Sequence, residues 1–195
     1  YAGTEKQQIC LSYAYGDGKE SSCENTVNSV QRLFYNIPVN TYFSLDLDGI
    51  AALNDSIGGV DVVSPETIGD FVEGQSYHLV GQQAESFVRT RDTSKVDSNN
   101  MRMQRQKVYI QSFMNTVIQQ TKKDLTTPLD LFNASAPYSC TNLNPSKVTY
   151  LTQQAVLGGM NGIDMLSVPG QVKMGSKYAE FNVSEAEFYQ MFLSI

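Results

Sequence analysis

Between positions 25 and 63 the chain switches hydrophobic period repeatedly, and that succession constrains its fold more than any other feature. In ENTVNSVQRLFYN, Val27, Val30, Leu33 and Phe34 recur at helical spacing, and the run stops before Ile37-Pro38, where the pre-proline position disfavours a helix. TYFSLDL then alternates, with Phe43, Leu45 and Leu47 to one side as in a strand. Asp48 is placed to cap a short helix burying Ile50, Leu53 and Ile57, closed by Gly58-Gly59. VDVV follows as a compact β-branched strand. Helix, strand, helix, strand in this order predicts an α/β fold, a three-layer α-β-α sandwich around one sheet.

The remaining segments fit that frame. With 195 residues, 41% of them apolar, the chain is the size of one domain with a substantial core. QQICLSYAYGDGKESS reads as extended or turn sequence ending in a Gly-Asp-Gly loop, and positions 64 to 83 read as a polar loop or flap. GQQAESF predicts a helical turn leading into Arg89. Asp97, Ser98, Asn99 and Asn100 offer caps for a long helix reaching about Lys123. Met103, Ile110, Met114 and Val117 share its apolar face, while Arg102, Arg105, Gln106 and Tyr109 line an adjoining one. PLDLF, a helix after Pro145 and extended segments around IDMLSV and VKMGS come next. Ser184 and Glu187, at capping-box spacing, open a final helix. No repeat or composition shift divides the chain, so a single domain over 1–195 is expected.

Charge is where the sequence departs from the ordinary. Of five arginines, four fall between Arg89 and Arg105, in a chain whose net charge is -6. Two guanidiniums ~6 Å apart repel by about 3 kcal/mol at an effective dielectric of roughly 20, so such a cluster implies an anion between its members. Arginine in place of lysine points to planar, bidentate recognition of phosphate or carboxylate. In an extended backbone Arg89 and Arg91 point the same way, and Arg102 and Arg105 rise from the first turns of the long helix. That helix start attracts anions through its free N–H groups. The competing reading is a surface ion-pair network with Glu85, Asp92 and Asp97.

Other chemistries find little support. An acidic chain with one basic focus is no general nucleic-acid binder. No Cys/His cluster has zinc spacing, and GxSxG and P-loop patterns are absent. The single histidine, His78, reads as a half-buried strand residue. Asp46 and Asp48 could ligate a metal, but Asp48 is better explained as a cap. Three cysteines fit one disulfide plus a free thiol, or three thiols. The polar, glycine-rich stretch between Cys10 and Cys23 favours a bridge there, which implies an oxidising setting.

LSYAYGDG, RLFYNIPVNTYFSLDLDGIAALNDSIGGVDVV and HLVGQQAESFVRTRD followed by RMQRQ together resemble the LytR-CpsA-Psr family of bacterial cell-envelope phosphotransferases. The resemblance covers most of residues 11 to 107 and rests on IGGV, RxR and RxxRQ in order. It implies an α-β-α sandwich around a central mixed sheet, and an enzyme that moves an anionic glycopolymer from an undecaprenyl-pyrophosphate carrier to peptidoglycan. Carried over by position, Arg89 and Arg91 are the catalytic RxR pair, and Arg102, Arg105 and Gln106 bind pyrophosphate beside them. A magnesium ion is implied, with its ligands upstream of Tyr1. The family's first strands and transmembrane anchor are expected there too, which makes the setting extracytoplasmic, at the cell surface. Asn99 stands where the family usually has an aspartate, with Asp97 nearby, and Gln7 and Gln8 stand where a basic residue is frequent, beside Lys6. A non-catalytic binder of polyprenyl pyrophosphate or anionic polymer, or a lipid pyrophosphatase, are the alternatives.

Overall fold

In the computed structural model the described residues are 8–92, 94, 98–174 and 179–194. The chain forms two compact units, Tyr1–Ile163 and Asp164–Ile195.

The first unit opens with α1 (Leu11–Ala14) and α2 (Glu20–Leu33), so helix begins earlier than the extended or turn reading of this region. Lys19 and the turn before it start α2, and its end is set before Pro38 is reached. Tyr35 and Asn36 take positive φ values of 54° and 62°, and the Asn36 N–H donates back to the Gln31 carbonyl. β1 (Phe43–Leu45) pairs antiparallel with β4 (Ser139–Thr141), Ser44 lying opposite Cys140. Leu47 does not continue β1 but begins α3 (Leu47–Ser56). Its N-cap is Asp46, and Asp48 sits in the first turn, where its charge suits the helix dipole.

Gly58 and Gly59 close α3 as expected, with φ of 81° and 92°. At Gly59 a Cβ would lie 2.8 Å from the Leu79 carbonyl, so no larger residue fits. β2 (Val60–Val63) follows and pairs antiparallel with β3 (Ser76–Leu79). The expected loop or flap therefore ends in a strand, the one that the reading of His78 as a strand residue implied. α4 (Gln82–Arg89), α5 (Ser98–Thr121), α6 (Thr127–Ser135), a 3-10 turn (Ala136–Tyr138) and α7 (Pro145–Leu157) complete the unit. The Asn144 side chain accepts from the Lys147 N–H and, with Pro145 in the first turn, starts α7 where the sequence placed it.

The core is built by Ile57, Val60, Val62, Phe71, Leu79, Ala84, Phe87, Val88 and Tyr109. Phe71 and Phe87 meet edge to face with ring centroids 5.1 Å apart. The first half of α5 departs from its apolar pattern: Met103 and Ile110 are 51% and 43% exposed while Arg105 and Tyr109 are buried, and only farther along does Val117 pack on the core as expected. In the second unit β5 (Gly170–Met174) pairs antiparallel with β6 (Ala179–Val183), and α8 (Glu185–Leu193) follows. Ser184 is its N-cap residue, without the side-chain bond of a capping box. The α/β class expected from the sequence is what the chain adopts. Among the described residues its strands form three antiparallel pairs rather than one continuous mixed sheet.

Candidate functional site

The arginines gather where α4 ends and α5 begins. Arg89 is the last residue of α4, not part of an extended segment, and its Nη1 lies 2.8 Å from Oε1 of buried Glu85 one turn back. A cation at a helix C-terminus also complements the exposed carbonyls there. Thr90 leaves the helix with φ -52° and ψ 135°. Arg91 then crosses to α5, its Nε donating to the Ser98 hydroxyl at 3.0 Å. On α5, Arg102 Nη2 donates to Asn99 Oδ1 at 3.0 Å. Asn99 thus holds an arginine from the position where a carboxylate is expected, and a neutral amide cannot take up a proton as a general base. Asp97 lies outside the described residues.

Arg105 and Gln106, expected to bind pyrophosphate, both bond to the backbone that carries Arg89. Arg105 is 0% exposed; its Nη2 donates to the Thr90 carbonyl and its Nη1 lies 2.9 Å from Glu66 Oε1. Burial pushes this guanidinium below its ordinary pKa, while Glu66 pulls it back up. Gln106 Nε2 donates to the Val88 carbonyl at 3.2 Å. Both side chains therefore grip the backbone on either side of Arg89. They fix the RxR segment against α5, with the Arg105 side chain inside the fold. Glu66 was missed from sequence, since nothing in SPETIGD marks a partner for a residue some forty positions away.

The other expected features lie elsewhere. His78 is on β3 as predicted but is exposed, with Nδ1 2.8 Å from Asp61 Oδ1 on the facing strand and Nε2 3.1 Å from the Gly58 carbonyl. The Asp61 bond raises its pKa. The Cys10–Cys23 bridge is not formed. Cys10 is exposed ahead of α1, whereas Cys23 is buried in α2 and meets Cys140. Among the described residues no three carboxylate, imidazole or thiol side chains converge. Among the same residues no helix is long and apolar enough to cross a membrane.

The geometry defines an α/β domain that presents arginines at a helix–helix junction. The LytR_cpsA_psr family profile matches residues 1–193, and the chain belongs to that family. A Bacillus cereus polyisoprenyl-teichoic acid–peptidoglycan teichoic acid transferase, TagU, is 27% identical over 173 residues, which are 85% of this chain and 52% of that protein. The Bacillus anthracis TagU is 34% identical over 91 residues, 45% of this chain and 28% of the relative. The chain thus spans about half, or less, of the curated relatives it matches. Among solved structures, Streptococcus agalactiae protein gbs0355 superposes with a TM-score of 0.77 at 18% identity, covering 96% of this chain and 64% of that one. At that identity the likeness is one of fold.

Proposed function

We propose that this domain binds the pyrophosphate of a polyprenyl-linked anionic glycopolymer and, within its whole protein, transfers that polymer to peptidoglycan or a related cell-envelope acceptor. The observation that carries this reading is the clamp on the RxR segment: Arg105 and Gln106 immobilise residues 88–90, and Arg89, Arg91 and Arg102 flank the start of α5. Transfer at a diphosphate needs little covalent help from the protein. Orientation and neutralisation of developing charge supply most of the barrier lowering, and fixed guanidiniums beside a helix N-terminus provide both. The transferase names of the relatives support the same class of substrate. An extracytoplasmic location and membrane attachment are part of this proposal. The magnesium ion implied by the resemblance is part of this proposal too.

Replacing Arg89 and Arg91 together by alanine removes several charge-assisted hydrogen bonds, each worth about 1.5–3 kcal/mol. A loss of roughly 100-fold or more in affinity for a polyprenyl diphosphate is expected by calorimetric titration, with the fold retained by circular dichroism and the melting transition lowered by the loss of the Glu85 partner. Equal affinity in the double variant rejects the site. Asn99 favours a second reading, binding without transfer, since it leaves the junction without a proton acceptor at that position. Turnover of a labelled lipid-linked polymer by the whole protein separates the two.

A further inference from the structure

The β1–β4 ladder carries a pair of thiols. Cys140 lies directly opposite Ser44, and residues so paired project from the same face of an antiparallel ladder. α2 packs on β4, and the Cys23 thiol on α2 interacts with both the Cys140 thiol and the Ser44 hydroxyl. Cys23 therefore sits over that face. It is 3% exposed, while Cys140 is only partly covered. Cys10, the third thiol, is exposed and donates to Gln8 Oε1 at 3.7 Å, apart from this pair.

We infer that Cys23 and Cys140 are a disulfide-forming site that staples α2 to the β1–β4 ladder when the protein meets a disulfide oxidant. Cys140, the more accessible thiol, loses its proton and attacks a disulfide of a thiol–disulfide oxidoreductase or of glutathione, forming a mixed disulfide and releasing one thiol. The Cys23 thiolate then attacks the Cys140 sulfur and expels the second thiol. The protein loses two hydrogens and the oxidant's disulfide becomes two thiols, so atoms and electrons balance. Burial and the neighbouring thiol raise the Cys23 pKa, which disfavours it as the first attacker, and its place over Cys140 makes the second step an internal one. The two cysteines are roughly 117 residues apart, so the bond closes most of the first unit into one loop, the arrangement in which a cross-link constrains the unfolded chain most. This inference is independent of the transferase reading.

The test is peptide mapping of the reduced protein after equilibration with glutathione disulfide, alkylation and digestion without reductant. A Cys23–Cys140 peptide with Cys10 alkylated is expected, together with a melting transition raised by roughly 5–10 °C that returns to its former value on reduction. Both should persist in a Cys10→Ser variant and vanish in Cys140→Ser. Three alkylated thiols after oxidation, or a link through Cys10, overturns the proposal.

Discussion

A guanidinium without access to water must find its partners inside the protein, and Arg105 finds them in Glu66 and the Thr90 carbonyl. Its Nε and Nη1 and the facing Glu66 Oε1 are not in hydrogen-bond geometry, so the pair is held by charge more than by alignment. Replacing Arg105 with methionine keeps the bulk but leaves the covered Oε1 of half-buried Glu66 without its cation. A loss of about 3 kcal/mol of stability is expected, and Glu66→Gln in the same chain should restore part of it. A double-mutant cycle by urea unfolding measures this; additive effects would mean that the two side chains do not act as a pair. From sequence, Arg105 looked like the fourth member of an anion site because it shares a helix face with Arg102. Burial decides otherwise: two residues on one face at different depths meet water in one case and the core in the other.

At the scale of elements, α5 holds the first unit together through polar contacts on its buried side. The Tyr109 hydroxyl donates to Asn54 Oδ1 at 3.2 Å, and Asn54 Nδ2 donates to the Leu79 carbonyl at 2.8 Å. One fully buried amide thus links α3, β3 and α5. Burial raises the Tyr109 pKa, so the phenol stays protonated and remains a donor. Tyr109→Phe should cost about 1 kcal/mol, and Asn54→Ala, which breaks both bonds, about 2–3 kcal/mol. Thermal or urea unfolding reads both, and a Tyr109→Phe variant as stable as the parent would contradict the link. The existence and length of α5 were legible in its spacing and caps, but its inward face was not. Met103, Ile110 and their neighbours form as good an apolar stripe as many core helices show. The facing of its first half was dictated by Glu66, Asn54 and the Val88 and Thr90 carbonyls, all distant in sequence.

For the molecule as a whole, charge is unevenly placed, with an acidic surface and arginines at one junction. One histidine is the only side chain whose ordinary pKa lies near neutrality, so pH dependence there should be simple. Its pKa is raised in the folded state by Asp61. The folded protein then binds that proton more tightly than the unfolded chain, so the contribution is complete below the ordinary imidazole value and disappears as pH rises through the folded one. Stability should fall slightly as pH rises from the ordinary imidazole value through the raised folded one, and the slope should flatten in His78→Gln. Urea midpoints across that range decide it; a midpoint that rises in the parent would reverse the sign.

The sequence by itself determined the elements whose causes are local. Gly58-Gly59 ended α3, Asn144-Pro145 started α7, and β-branched VDVV made β2, because backbone conformations and spacing act within a few residues. It also determined that arginines would crowd one short stretch. Tertiary structure alone decided which of them meet solvent and which thiol Cys23 meets. Those outcomes depend on partners such as Glu66, Thr90 and Cys140, brought close only when the chain buries its apolar surface.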